Sequence, residues 1–301
     1  MRQLMKLLAV PVLLFSTCAI AADSSYVQRI ETSRQAQETS LKSDHGILSF
    51  VGAYRLEEGE AEVGSGVAEG IQLPAGAAPA LVGKFIVSNN RVTFAASGVD
   101  VVTLSGNPVS TVELAAPNKL SVGRLELIYY PSDKEKIVFV SDPQSPNRAK
   151  FGGLDWFPIN SEWKIEGRFV ANPKSKKIEY ENALGGTNHA DSPGYVVFTR
   201  NGHEYRLEVE SGAHGLTALF SDETSGKSTY GGGRSLDIER GKGDAVTLDF
   251  NQAVNKPCAV NPYTACSLSP LQNRLALQVI AGEKTPKINI TRVATAPKRI
   301  R

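Results

Sequence analysis

Short apolar runs separated by turn residues fill most of the chain, and they predict a fold built from β-strands. Two examples are Phe85-Ile86-Val87 and Val92-Thr93-Phe94. The predicted strands are 47–54, 84–88, 91–95, 125–130, 137–141, 163–171, 195–200, 203–210, 216–220, 246–250 and 275–280. Runs this short and this regularly spaced are typical of an all-β, mostly antiparallel β-barrel or β-sandwich, and the pattern leaves the choice between the two open.

Two dipeptides mark tight hairpins between these runs. Asn201-Gly202 is the favoured pair for a type I′ turn, and Asn89-Asn90 is predicted to play the same part. After the Asn201-Gly202 turn, apolar and charged residues alternate along the chain. Leu207 and Val209 are therefore predicted to face the core, while Glu208 faces solvent.

The segment that precedes the strands has a different pattern. Residues 22–45 are polar and contain neither Gly nor Pro. Tyr26 and Ile30 stand four residues apart and form a thin apolar stripe, with Leu41 further on. This spacing predicts one N-terminal helix.

The first residues have the pattern of a cleaved export signal. Arg2 and Lys6 precede an apolar run, 7–20, and Ala19-Ile20-Ala21 places small residues where signal peptidase reads them. We predict cleavage after Ala21 and a periplasmic or secreted location. A permanent membrane anchor is one alternative, although a proline and polar residues interrupt the run. A lipoprotein attached through Cys18 is another.

Charge narrows the range of partners. Removal of residues 1–21 takes away two positive charges and no acids, so the formal net charge falls from +2 to 0 (+2 − 2). A neutral chain has no electrostatic attraction to nucleic acid or to an anionic membrane, so neither partner is predicted. No later apolar run reaches membrane-spanning length. We predict a single β domain over 46–284 and a basic C-terminal tail over 285–301, and no feature indicates an oligomeric state.

Cys258 and Cys266 remain once the leader is removed. An even pair in an exported protein predicts a disulfide. The bond would close a short loop and stabilise the fold by roughly 2–3 kcal/mol. No histidine lies near the pair, which argues against zinc.

Special residues are densest between Phe220 and Lys284. A Gly-rich loop, Tyr230-Gly231-Gly232-Gly233-Arg234, has two interpretations. Its backbone N–H groups and Arg234 can form an anion site, or its glycines can shape a tight corner of the fold. Asp222 can accept from the loop's N–H groups, and Ser225 lies outside the Gly-x-Ser-x-Gly pattern of a nucleophile.

A second set of polar residues follows. Its members are Asp249, Asn251, Asn255, Asn273 and Arg274. In an uninterrupted strand the side chains of Asp249 and Asn251 face the same way. The set has three interpretations: a hydrogen-bond network that ties the cysteine loop to the barrel, a ligand-recognition cluster, or a catalytic acid.

Spaced motifs carry a resemblance to a known family. They are 45–52, 56–59, 151–154, 156–158, Trp163, 220–222, 224–226, 229–234, 248–251, Asn255, 257–259, Cys266, 273–275 and 281–283. Their order resembles a bacterial family catalogued as domain of unknown function 1684, over roughly residues 25–284. The resemblance implies architecture and a site region but no defined chemistry. Members tend to have a proline-rich run after the second cysteine, where this chain keeps Pro270.

Three functional hypotheses follow. The first is a β-barrel module that binds a small, partly apolar molecule, with polar anchors at Tyr230, Arg234, Asn251 and Arg274. The second is a hydrolase-like enzyme that uses Asp222 or Asp249 as its acid or base. The third is a structural envelope protein without a ligand. The sequence shows no nucleophile–base pairing, so we assign no catalytic residue, metal or cofactor.

Overall fold

A computed structural model of the chain describes residues 16–98, 101–115, 117–131, 135–181, 187–212, 215–264, 266–287 and 298–300. A long N-terminal helix precedes two β-structured halves, each with its own hydrophobic core. The predicted mostly antiparallel β fold with one N-terminal helix is confirmed. Both predicted architectures are present, a sandwich in the first half and a barrel in the second.

The helix α1 spans Ser16–Lys42. Its predicted apolar stripe is confirmed, because Tyr26 and Ile30 are both buried. Of the predicted leader, residues 1–15 lie outside the described residues, so cleavage after Ala21 remains a prediction. No helix in the described part of the chain combines the length and apolar character needed to cross a membrane.

The first half is a sandwich of two sheets. Its strands are β1 Phe50–Leu56, β2 Gly59–Gly64, β3 Ile71–Gln72, β4 Gly83–Ser88, β5 Arg91–Ala96, β6 Thr103–Leu104, β7 Asn107–Pro108, β8 Thr111–Glu113, β9 Asn118–Val122, β10 Leu125–Pro131 and β11 Lys136–Ser141. One sheet has the order β1-β11-β10-β9-β6-β7 and the other β3-β2-β4-β5-β8. Their apolar faces meet in one core, in which Phe85 and Phe94 pack edge to face.

The second half is a closed barrel. Its strands are β12 Lys164–Glu181, β13 Thr187–Arg200, β14 His203–Gly212, β15 Gly215–Phe220, β16 Arg234–Arg240 and β17 Ala245–Asp249, and the short β18 Val254–Asn255 pairs with the start of β16. Pairing of β15 with β16 closes these six described strands into a ring. Aromatic side chains fill the interior, where the Phe250 ring contacts Phe198, Phe220 and Trp163.

Short connecting elements join the two halves. They are α2 Pro146–Lys150 and the 3₁₀ turns Ile47–Ser49, Ser161–Trp163, Phe250–Gln252, Pro257–Ala259 and Leu271–Asn273. The buried Asn261 donates from Nδ2 to the carbonyls of Ile47 and Phe50, so the barrel half is held to the start of the sandwich. Within the predicted basic tail, β19 Lys298–Ile300 pairs in parallel with β1.

Both hairpin predictions are confirmed by the backbone. Asn89 and Asn90 have φ angles of 51° and 67°, and Asn201 and Gly202 have 52° and 77°. Two successive positive φ values are the signature of a type I′ turn. Leu207 and Val209 face the core as predicted. The prediction for Glu208 was wrong: it is buried, because Ser192 donates to its Oε1 at 2.9 Å and Lys176 pairs with its Oε2 at 3.1 Å.

The predicted strand 275–280 was also wrong. The segment belongs to no sheet, and its backbone groups bond instead to the loop that follows β15. Leu275 N donates to the carbonyl of Ser221, and Val279 N donates to the Asp222 carboxylate at 2.8 Å. Its alternate residues still enter the barrel core.

Candidate functional site

A cleft of about 720 Å³ lies beside the end of β15, outside the filled barrel. Its walls come from the end of β12, the loop 221–232 and the segment 268–274. Of the residues predicted from the sequence, Asp222, Ser225 and Arg274 line it. Two glycines of the Gly-rich loop also contribute, namely Gly231 and Gly232. The predicted site region therefore does form a concave surface.

The long β12–β13 hairpin supplies the opposite wall. Its pairing register shifts between Ala171 and Lys176. Beyond that irregularity, Ile178 and Tyr180 pack against Leu219 on the outer face of β15. Residues alternate along a strand, so Glu179 and Glu181 point the other way and line the cleft.

Segment 268–274 forms the base between these walls. Leu268 N donates to the carbonyl of Glu181 at 2.6 Å, and Ser269 N donates to the carbonyl of Gly232 at 3.2 Å. The Ser269 hydroxyl also donates to Ser221 Oγ at 3.2 Å. These bonds fix the base to both walls, so the cleft is held by the backbone of three separate stretches.

Charged side chains of both signs reach the cleft. The carboxylates are Glu179, Glu181 and Glu223, and the cations are Lys227 and Arg274. Among the described residues, none of these five side chains has a salt-bridge or hydrogen-bond partner. Polar hydroxyls lie between them, from Ser221, Ser225 and Ser269.

Asp222 lies at the edge of the cleft, but its carboxylate is bonded to groups of the protein itself. Its carboxylate accepts from the hydroxyls of Thr224 and Ser225 at 2.8 and 3.0 Å and from Val279 N at 2.8 Å. It also faces Arg234 Nη2 at 3.5 Å, and the Asp222 side chain is 0% exposed. A carboxylate satisfied in this way holds a turn together and has no free lone pair directed at a substrate.

Arg234 is buried, so its predicted contact with an anion was wrong. The side chain enters the barrel at the start of β16 and donates to the carbonyls of Val279 and Ala281. Its guanidinium lies 5.2 Å from the centre of the Phe220 ring. Burial lowers the pKa of Arg234, and the charge of Asp222 opposes that effect. This arginine anchors the segment 275–281 to the barrel.

Gly233 explains why glycine is needed before Arg234. Its φ is +87°, and a Cβ at this position would lie 2.6 Å from the carbonyl oxygen of Phe220. Only glycine tolerates both conditions. The tight-corner interpretation of the Gly-rich loop thus holds at Gly233, while Gly231 and Gly232 face the cleft.

Asp249 and Asn251 hold the N-terminal helix. Asp249 ends β17 and caps the 3₁₀ turn 250–252, so the strand does not continue to Asn251. The Tyr26 hydroxyl donates to Asp249 Oδ1 at 2.8 Å and accepts from Asn251 Nδ2 at 2.9 Å. Burial and the Asp249 carboxylate raise the pKa of Tyr26. Arg34 adds a bond to the carbonyl of Asn251.

Asn255 belongs to a third location, around Glu283. Its Nδ2 donates to Glu283 Oε1 at 2.7 Å, and its backbone N donates to Oε2 at 2.9 Å. Gln37 of the helix donates to the same carboxylate. Burial raises the pKa of Glu283, and the hydrogen bonds from Asn255 oppose that effect.

Asn273 is fully buried and ties segment 271–275 to two strands. Its Nδ2 donates to the carbonyls of Glu208 and Leu219, and its Oδ1 accepts from Glu208 N. Its neighbour Arg274 is exposed and lines the cleft. The polar set 249–274 is therefore not one cluster but several structural bonds and one cleft residue.

Cys258 and Cys266 are adjacent, yet both are free thiols, so the predicted disulfide is not formed in this structure. Instead, Cys258 N donates to Cys266 Sγ at 3.1 Å, and the Tyr230 hydroxyl donates to Cys258 Sγ at 3.7 Å. The hydrogen bond from the Cys258 thiol lowers the pKa of Cys266 to about 7. The same contact raises the pKa of Cys258.

Sequence reasoning missed most of the cleft. The missed residues are Glu179, Glu181, Ser221, Glu223, Lys227, Leu268, Ser269, Pro270, Leu271 and Gln272. Glu179 and Glu181 reach it only because the long hairpin packs on β15, which no local pattern indicates. Within the described residues, no group of three or more His, Cys, Asp or Glu is arranged to hold a metal ion.

A comparison with known proteins distinguishes the barrel half of the chain from the sandwich half. Residues 149–284, which include the barrel and the cleft, match the family described as Protein of unknown function (DUF1684). An uncharacterized protein of Haloarcula marismortui, solved by NMR, is 28% identical over 46% of this chain and 79% of its own, with a TM-score of 0.39. Among curated proteins, none matches the sequence. The family match covers the barrel half, and the sandwich half lies outside it.

Proposed function

We propose that this protein binds a small polar molecule in the cleft between the β12–β13 hairpin and the loop 221–232. The observation that carries the proposal is the cleft itself, a cavity of about 720 Å³ on which carboxylates, cations and hydroxyls converge. Small-molecule sites in proteins fall between roughly 300 and 1,000 Å³ and combine apolar contacts with a few polar groups. The cleft has both, because Leu268, Pro270 and Leu271 line its base.

The filled barrel favours a ligand outside it. Phe198, Phe220 and Phe250 occupy the interior with ring centroids 5.5 Å apart at each contact with Phe250. Close packing of aromatic rings in the interior favours a binding site outside the barrel. Small molecules bound by barrels enter an open mouth, and here the concave surface is instead beside β15. The ligand is therefore proposed to sit on the barrel and not within it.

The hydrolase hypothesis, in which Asp222 or Asp249 is the acid or base, has less support. Asp222 is held by Thr224, Ser225 and Val279 N. Asp249 accepts from Tyr26 and Asn251. A general acid or base must reach a substrate proton, and both groups are occupied by donors of the protein. The predicted leader supports a site of action in the periplasm or outside the cell, which is part of the proposal.

A ligand panel tests the proposal. Thermal unfolding of the purified protein is followed with free amino acids, short peptides, sugars, nucleotides and polyamines in turn. We expect at least one class to raise Tm, because a ligand that binds only the folded state stabilises it. The shift should fall in Glu179→Gln and Arg274→Gln. It should persist in Glu204→Gln and Lys242→Gln, which replace exposed charges outside the cleft. Equal shifts in all four variants would place the ligand elsewhere.

A further inference from the structure

We propose that the cleft recognises the two charged ends of a short peptide, an inference that rests on the proposed small-molecule function. Its chemical basis is the placement of opposite charges on different walls. Glu179 and Glu181 lie on the β12 wall, whereas Lys227 lies on the loop 221–232 and Arg274 at the end of the base that pairs with Ser221 of that loop. This second side carries two cations and one cleft-lining glutamate, Glu223. A ligand bridging these walls carries a cationic end and an anionic end.

The β12 wall suits an ammonium group. Glu179 and Glu181 are two residues apart on one strand, so their carboxylates share a face. Both are exposed. A charge-assisted bond to an ammonium is about twice as strong as a neutral one. A divalent cation is a poorer fit, because the described carboxylates here form no group of metal-binding geometry.

The opposite side, formed by the loop 221–232 and the adjoining base, suits a carboxylate. Arg274 is exposed at the cleft, and arginine binds carboxylates through two parallel N–H bonds. Lys227 adds a second positive charge. Gly231 and Gly232 also line this side of the cleft. The hydroxyls of Ser221 and Ser269 complete the polar surface on this side.

The base of the cleft provides apolar contacts between the charged ends. Leu271 is 84% exposed, which is unusual for a large apolar side chain, and Leu268 and Pro270 adjoin it. An apolar side chain of a bound peptide would cover Leu271 and remove that surface from water. The described lining contains no aromatic ring, the platform on which proteins stack bases. These features favour a peptide over a nucleotide.

Calorimetric titration with three forms of one tripeptide tests the inference. The probes are Ala-Leu-Ala, its N-acetyl derivative and its C-terminal amide. We expect the free peptide to bind, and we expect each blocked form to bind at least about 10-fold more weakly because a charge-assisted contact is lost. N-acetylation should matter little in Glu179→Gln/Glu181→Gln, and amidation should matter little in Arg274→Gln. Glu204→Gln serves as the matched control and should behave as the unchanged protein.

Each other outcome is informative. Equal affinity of all three peptides would overturn the charge-reading inference, while the binding function would stand. Failure of every peptide, with another class from the panel bound in the cleft, would also overturn the inference alone. If no class of the panel binds, or if binding is unaffected by the cleft substitutions, both the peptide inference and the proposed function are wrong.

Discussion

Replacement of Asp222 by asparagine should destabilise the barrel without acting through a ligand. The Asp222 and Arg234 side chains are 0% and 1% exposed, and they face each other at 3.5 Å. In Asp222→Asn the guanidinium stays buried but loses its counter-charge. The carbonyls of Val279 and Ala281 still accept from it, but they carry no formal charge.

The expected loss of stability follows from the burial of both Asp222 and Arg234. Removal of one member of a buried ion pair costs about 3–5 kcal/mol, because the other charge is left uncompensated. For a domain of 150–250 residues, 1 kcal/mol corresponds to roughly 2–4 °C in Tm. Asp222→Asn should therefore lower Tm by about 10 °C. Asp237→Asn is the matched control: Asp237 is exposed on β16, and its loss should cost less than about 0.5 kcal/mol.

Tryptophan fluorescence during urea unfolding is the natural assay. Both tryptophans, Trp156 and Trp163, lie in the second half of the chain, and Trp163 is part of the barrel core. The signal therefore reports the barrel and not the sandwich. Addition of Arg234→Met to Asp222→Asn should restore part of the stability, with a coupling of about 1–3 kcal/mol. If Asp222→Asn unfolds within 1 kcal/mol of the unchanged protein, the structural role given to this carboxylate is wrong.

Three further predictions concern the helix, a buried carboxylate and the thiols. Tyr26→Phe should cost about 1.5–3 kcal/mol, because a hydrogen bond to the Asp249 carboxylate is lost. Urea unfolding measures that loss, and no change would contradict the helix contact. The raised pKa of Glu283 means that its contribution to stability is complete at low pH and is lost as pH rises through the folded-state value. In Glu283→Gln, the free energy of unfolding should fall less steeply with rising pH, as measured by urea unfolding at a series of pH values. The same pH dependence in the variant and the unchanged protein would contradict this role of Glu283. Oxidation with glutathione disulfide should join Cys258 to Cys266, with a mass loss of two hydrogens and a rise of about 2–3 kcal/mol in the free energy of unfolding. If mass spectrometry shows that both thiols persist, the two cysteines are not adjacent.

Local patterns predicted the parts of the fold that depend on local physics. A type I′ turn needs positive φ at two adjacent residues, and Asn201-Gly202 tolerates this, so its hairpin was predictable. Tyr26 and Ile30 share a helix face because they are four residues apart, and both are buried. The presence of both a barrel and a sandwich was not predictable, because strand spacing alone does not determine how sheets close.

Long-range contacts account for the errors at the site. Tyr26 meets Asp249 across 223 residues, and nothing near Asp249 in sequence indicates that contact. Glu208 sits at an outward position of its strand, yet Lys176 of the neighbouring hairpin covers it. Arg234 follows a Gly-rich loop as a ligand-binding arginine would, but the strand that begins there turns it inward. The identity of the region was predictable, whereas the direction of each side chain was not.

Native mass spectrometry of the protein purified from its own compartment tests ligand binding in the cleft most directly. We predict an added mass that is lost on denaturation, is absent from Glu179→Gln/Arg274→Gln, and is retained by Glu204→Gln. An added mass that persists in the cleft double variant would show that the ligand binds elsewhere. An apo mass for the unchanged protein, together with no stabilisation by any member of the ligand panel, would contradict the binding function itself.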